Sequence, residues 1–404
     1  MEKPTGKITV SRLHLLNIGR FARKPCLSKA LLKGAPKLEM RNKFLYLFTV
    51  FMYSIVIASN SKSEFNGTFS ILGPNTESNS RTLGLNLRYI PLVKFDISSL
   101  FDAEVSGNIF TTFDSNNIVD VTNKLEIKPY RVWLRFGTTK FEARIGLQKI
   151  NFGPARILRS LMWFDQIDPR DPLQFTSGVY GLRMRYDFQN NTNISLWGLY
   201  GNKNPKGWEV FGTKDQTPEI GGRIQYPIGN SELAVSGHYR DIRQEGISEN
   251  RIALDGFWDV GIGLWFESVI AHISFEDSNR IDYHSFLTLG TDYTFGIGNG
   301  ITATLEHLLR SIGNRTFSDN ERYNTSAISL SYPVGIMDAL SLFSYYDWNS
   351  EMLFNFLTWQ RTYDYWTIQF SGYWTNIDNM RPMNSRLVRT VESQGFQFMT
   401  IFNY

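Results

Sequence analysis

From residue 63 onward the chain alternates apolar and polar positions, the period-2 signature of strands whose two faces meet different surroundings. Phe65, Gly67, Phe69 and Ile71 share one face of a first strand; Leu83, Leu85, Leu87 and Tyr89 share one face of a second. Val93, Phe95, Ile97, Phe101, Ala103, Val105 and Ile109 have one parity and predict a long third strand. The pattern continues through Tyr130–Phe136, Phe141–Leu147, Tyr180–Phe188, Ile194–Tyr200, Ile220–Tyr226, Leu233–Tyr239, Ile252–Trp258 and Ile262–Phe266. It resumes at Tyr283–Phe295, Ile301–Leu309, Ile328–Tyr332, Leu340–Trp348, Met352–Phe356, Trp366–Trp374 and Phe396–Tyr404. The expected fold is all-β: a transmembrane antiparallel up-and-down β-barrel of about eighteen strands, with sixteen as the alternative count.

Two features separate a barrel from a soluble sandwich. Short connections at Ile90-Pro91, 137–140, 190–191, 227–230, 259–260, 296–299, 333–337 and 361–362 are read as turns. Longer ones at 73–80, 113–123, 150–177, 202–218, 275–281, 311–321 and 375–391 are read as loops, so length sorts by side, as in outer-membrane barrels. Tyrosine also precedes three of the turns, at Tyr89, Tyr226 and Tyr332, where a phenol suits a membrane–water boundary. Closure is required, because an open sheet edge in lipid leaves amides unpaired at several kcal/mol each. The terminal run Gly395–Tyr404, with Phe396, Phe398 and Phe402 on one parity, fits a strand recognised for outer-membrane insertion.

One segment breaks the rhythm. Residues 150–177 hold three prolines and surround Met162, Trp163 and Phe164 with Arg156, Arg159, Asp165, Asp168, Arg170 and Asp171. Proline cannot donate to a ladder, and a long aromatic-rich loop is more often functional than disordered. Between the fifth and sixth strands, it is expected to fold toward the lumen as a constriction.

Composition changes the picture chiefly at the N-terminus. The formal charge of +4 is misleading: residues 1–43 hold 11 Lys/Arg against 2 Asp/Glu, leaving 31 against 36 in the other 361. No basic surface for nucleic acid remains. The run Phe44–Ala58 follows Arg41 and Lys43 and ends with Val56 and Ala58 in small-residue cleavage positions. It is too short for a comfortable membrane helix and reads as a signal peptide over 40–58, with 1–39 an upstream extension and 59–404 a single barrel. The one cysteine, Cys26, lies in that extension, so thiolate metal sites and disulfides are excluded from the body.

With the apolar parity facing lipid, the other parity lines an interior wide enough for water. Its basic groups are Arg131, Arg135, Arg144, Arg183, Arg185, Arg223 and Arg240, flanking the long loop. Its acids are Asp96, Asp102 and Glu104 on the expected third strand, with Asp292 and Glu306 farther along. A basic arc facing acids across a constriction would give a transverse field; local cross-strand pairing is the plainer alternative. The Asp165, Asp168 and Asp171 spacing could bind Ca²⁺ but more often marks turns. The histidines lack zinc spacing, and no Ser–His pair can be fixed, so no catalytic residue, metal or cofactor is assigned.

The run Arg144-Ile-Gly-Leu-Gln148-Lys-Ile-Asn-Phe-Gly153, the segment Asp165-Gln-Ile-Asp168-Pro169-Arg170-Asp171-Pro172 and the aromatic terminus resemble outer-membrane porin families, in particular alginate-export-type barrels. The resemblance implies passive diffusion of small hydrophilic solutes, anions among them, across the Gram-negative outer membrane without an enzymatic step. Its partners would be membrane lipid and solute, and a homotrimer is one expected assembly. The rival is a surface polysaccharide-binding, capsule-assembly or export barrel with a plugged lumen.

Overall fold

The computed structural model describes residues 63–76, 83–117, 120–165, 173, 175–243, 246–275, 281–318, 321–376 and 394–404. The expected extension (1–39) and signal segment (40–58) lie outside the described residues. Among the described residues eighteen strands follow one another: β1 (Ser63–Thr76), β2 (Leu83–Asp96), β3 (Phe101–Asn117), β4 (Asp120–Gly137), β5 (Phe141–Gln148), β6 (Val179–Asp187), β7 (Asn193–Leu199), β8 (Glu219–Ile228) and β9 (Ser231–Asp241). The second half holds β10 (Ile247–Asp259), β11 (Gly263–Phe275), β12 (Ile281–Phe295), β13 (Ile301–Gly313), β14 (Glu321–Pro333), β15 (Asp338–Asp347), β16 (Met352–Thr362), β17 (Trp366–Thr375) and β18 (Gln394–Asn403).

Each strand pairs antiparallel with its sequence neighbours, and β18 returns to β1 with Thr68 opposite Asn403 and Gly73 opposite Phe398. The sheet therefore closes and has no free edge. Its polarity is inverted relative to a soluble protein. Along β10, Glu249, Arg251, Ala253 and Asp255 are buried, while Ile252 and Leu254 are 65% and 45% exposed on the outer wall. Alternation of this kind follows from the strand period once the outside is apolar and the inside polar.

Several expected boundaries change. Ile90-Pro91 is not a turn: both residues lie within β2, opposite Thr68 and Gly67. The β2–β3 register passes from Tyr89–Ile109 to Leu92–Ser106 without pairing them, so the donor that proline lacks is not needed there. The expected third strand from Val93 is instead divided by a turn at 97–100, and Asp96 ends β2 opposite Asp102. Most of 113–123 is strand rather than loop, because its Asn, Asp and Thr residues continue a ladder that needs only backbone. On β4 the pairing jumps from Arg131–Ser106 to Pro129–Gly107, leaving Tyr130 as an extra, bulged residue.

On β16 the expected face is reversed: Phe354 and Phe356 are buried inside, and Leu353 and Leu357 face out at 36% and 45% exposure. The interior is apolar in that sector, so both parities carry large side chains and the period gives no direction. The sorting of connections is also looser than expected. Long ones (149–178, 200–218 and 376–393) gather at one rim, but the connections at 118–119 and 348–351 on that rim are short.

Candidate functional site

The described part of the loop that follows β5, residues 149–165, folds into the barrel. Ile150, Leu158, Leu161, Trp163 and Phe164 are all buried, in one cluster with inward-facing Trp197, Val269, Phe286, Leu308 and Phe354 of the wall. Phe152 organises its near end. It stacks on Trp197 at 5.5 Å, meets Trp163 edge-on at 5.5 Å and lies under the Arg223 guanidinium at 5.3 Å. Offset and edge contacts of this type suit the ring quadrupole and place these aromatics in one interlocked group.

The far end docks on two carboxylates. Glu267 of β11 accepts from the backbone N–H groups of Ala155 (2.9 Å) and Leu161 (2.8 Å). Glu306 of β13 accepts from those of Arg156 (2.7 Å), Ile157 (3.0 Å) and Leu158, and from the Trp265 indole (3.0 Å). Both carboxylates are 0% exposed. Successive N–H groups converging on an anion form a nest, with charge-assisted bonds roughly twice as strong as neutral ones. Gly153 turns into it with φ of 96°, where a Cβ would meet the Glu267 Oε1 atom at 2.3 Å. Thr288 adds a bond from Oγ1 to the Leu158 carbonyl at 2.6 Å.

Within the loop, Arg159 bonds Asp165 at 3.1 Å, with both side chains nearly fully buried, and also reaches Asn151. Arg156 pairs with Asp292 of β12 and lies over the Trp265 ring at 5.0 Å. At the loop's root, burial holds Lys149 below the ordinary lysine value; Asp165 opposes this, and Arg159 and Arg131 reinforce it. Toward its end, Phe175 stacks on Tyr130 at 4.8 Å, and Arg131 donates to the Thr176 hydroxyl at 2.7 Å. Asp168, Arg170 and Asp171 lie outside the described residues. Among the described residues, no group of three or more His, Cys, Asp or Glu is arranged to hold a metal ion.

A second inward segment was not foreseen. In 200–218, Lys206 and Glu209 are buried, and the Trp208 indole donates to the Arg159 carbonyl at 2.8 Å. Gly207, with φ of 47°, lies so close to the Met162 carbonyl that a Cβ there would overlap it. Lys206 bonds Glu219 (2.9 Å), Glu209 meets Arg251 (2.9 Å) and Arg240 (3.2 Å), and Glu249 bonds both arginines. Trp197 donates to the Nδ1 atom of His238, which leaves Nε2–H to face Glu219. The basic and acidic groups of this network balance, as buried charges must to remain charged. The signal in the sequence was a lumen-parity series, Glu219, Arg240, Glu249 and Arg251, beside a loop carrying Lys206 and Glu209.

The structure does not bring the expected basic arc and acidic arc face to face. Asp102 is the register partner of Arg135 on the adjacent strand and bonds it at 2.6 Å. Arg144 sits 3.4 Å from Glu142, Arg185 bonds Asp187 at 2.8 Å, and Arg223 holds Asp255 through two bonds of 2.6 and 2.7 Å. Glu104 is partly buried on β3, and Asp96 is exposed at the end of β2. The opposing acids, Asp292 and Glu306, are occupied by the loop. Local pairing therefore replaces the expected transverse field: opposite charges come within bonding reach across adjacent strands (Asp102–Arg135), two positions apart on one strand (Glu142–Arg144 and Arg185–Asp187) or across one intervening strand (Arg223–Asp255). Arg183 and Arg131 are left without a carboxylate in an ion pair among the described residues; Arg183 is opposite Arg144 in register. A cavity of about 210 Å³ lies beside the loop, lined by Phe152, Trp197, Arg183, Arg185, Arg223 and Asp255 among others.

No protein-family model matches the chain, and no curated protein does. Solved structures of similar fold include OccAB4 of Acinetobacter baumannii, with a TM-score of 0.50 at 9% identity over 85% of this chain and 97% of that one. OccK7 (OpdD) of Pseudomonas aeruginosa gives a TM-score of 0.50 at 8% identity, over 85% and 98% of the two chains. An anion-selective porin from Comamonas acidovorans gives 0.46 at 11% identity, over 84% and 98%. At these identities the likeness to the two Occ proteins is one of fold.

Proposed function

We propose that this barrel is an outer-membrane porin, a passive diffusion channel for small hydrophilic solutes with a bias toward anions. The observation that carries the reading is a closed eighteen-strand barrel, apolar outside and polar inside, with a loop folded across part of its interior. A barrel of this strand number leaves room for water beside such a loop. The bias rests on charge accounting. Asp102, Asp255 and Asp292 are bound to arginines and Glu267 and Glu306 are held by loop N–H groups, whereas Arg183 lines the cavity beside the loop and is in no ion pair among the described residues. Selectivity then comes from bore and lining charge, with no chemical step.

Residues 40–58 would direct export, with 1–39 an upstream extension. The alginate-export-type relationship and a homotrimeric assembly belong to the same proposal. The test is single-channel recording in planar bilayers with protein whose folded state is verified by heat-dependent gel mobility. Discrete conductance steps with an anion-selective reversal potential are expected; folded protein that gives no steps overturns the reading.

A further inference from the structure

The two carboxylates under the loop have a role that the channel reading alone does not give them. We propose that Glu267 and Glu306 are positioning residues that set the bore, holding the segment Gly153–Leu161 against the β11–β13 wall and so fixing which solutes fit past it. The inference rests on the channel reading for its consequence, but the latch itself stands on geometry.

Neither carboxylate forms an ion pair with a cationic side chain among the described residues. Glu267 is satisfied by two loop N–H groups, and Glu306 by three loop N–H groups and one indole. A fully buried carboxylate is costly unless hydrogen-bonded, so the loop and the two glutamates need each other. Without the carboxylates, five backbone N–H groups of an irregular segment would lose their acceptors inside the barrel. Without the segment, two charges would be left in a largely apolar sector lined by Trp265, Val269 and Phe286. The remaining polar contacts of Gly153–Leu161 with this wall are the Arg156–Asp292 pair and the bonds of Ser160 and Leu158 to Thr288, while Ile157, Leu158 and Leu161 also pack in the apolar cluster that holds Val269, Phe286 and Leu308. The aromatic group around Phe152 and Trp163 anchors the two ends of the segment on the β7–β10 side, and the glutamates are what fix the backbone of its middle, and hence its exact position, on the β11–β13 wall.

The test uses the full-length chain with Glu267→Gln and Glu306→Gln combined. The amide keeps the shape and one acceptor but removes the charge and the second acceptor oxygen that both nests use. Two readouts apply. Hydrogen exchange of the 155–161 amides in the folded barrel should accelerate, and the channel should admit neutral polyethylene glycols that the native channel excludes. A rescue separates the latch from general damage. Ser160 Oγ and Thr288 Oγ1 are 2.7 Å apart, so Ser160→Cys with Thr288→Cys places two thiols where a disulfide can tether the segment to β12. In the double-Gln background the oxidised pair should restore the native size cut-off, and reduction should remove it again. Native conductance with an unchanged cut-off and unchanged exchange in the double-Gln barrel overturns the latch. A native protein that shows no conductance overturns the channel reading instead, and the exchange measurement still decides the latch. If the double-Gln chain fails to fold, the Cys pair is introduced with each single Gln variant; a cut-off and an exchange rate indifferent to oxidation overturn the proposal.

Discussion

Asp255→Asn should make the channel more anion-selective, and the size of the effect follows from where its partner lies. Asp255 neutralises Arg223 through two short bonds, and both side chains line the cavity beside the loop. Asparagine keeps an oxygen for one guanidinium N–H but cancels the negative charge. For an ion about 8 Å from the freed guanidinium, an effective dielectric of about 20 gives roughly 2 kcal/mol. One Debye length of screening at physiological salt reduces this to about 0.8 kcal/mol, or roughly fourfold in local anion occupancy, with a matching penalty for cations. Breaking a buried pair can cost about 3–5 kcal/mol, so assembly must be verified first. The assay is the reversal potential in a salt gradient across a planar bilayer. It should move toward the anion value, and more so at low salt. Arg183→Gln should move it in the opposite direction by a comparable amount. A reversal potential that Asp255→Asn leaves unchanged, or shifts toward cations, would refute the claim that ions pass this part of the lining.

Ile252→Arg places a charge on the outer wall, where Ile252 is 65% exposed. In lipid vesicles it should destabilise the barrel by up to ~2–4 kcal/mol in urea titrations, the range for arginine near the bilayer midplane. A change within error would show that this face is not in hydrocarbon. Trp163→Ala removes a ring that is 2% exposed and should cost about 3–5 kcal/mol of loop docking. It should appear as faster hydrogen exchange at Leu161–Phe164, while β1–β4 amides stay protected; a uniform loss across the barrel would contradict a local role.

Strand number and order were legible because a barrel wall separates two solvents, and that separation writes a two-residue period wherever the inside is wet. The period fails where the interior is filled. Val269-Ile270, Phe286-Leu287, Leu308-Leu309 and Tyr345-Tyr346 are adjacent apolar pairs, one member facing lipid and the other the packed loop. They mark the β11–β15 sector as the wall on which something rests, a signal available before any coordinates. Strand ends were less legible. Pro91 resembled turn chemistry but sits where its missing donor is harmless, and the bulge at Tyr130 shifts parity with no distinctive composition. The loop itself was singled out by its prolines and aromatics. Its landing points, Glu267 and Glu306, were not, since nothing local links an acid to amides more than a hundred residues earlier.

That separation in sequence has a consequence for how the molecule comes into being. The amides of Ala155 and Arg156 meet acceptors 112 and 150 positions downstream, so the segment has no seat until β11 and β13 have joined the growing sheet. Closing such long intervals is slow compared with hairpin pairing between neighbours. The wall must therefore be largely built while its centre is still vacant, and the obstruction arrives as a late event. An assembly intermediate halted before that step would be a wider, leakier ring than the finished one. A cell would register it as a breach of its permeability barrier before any spectroscopic probe of strand content registered a defect.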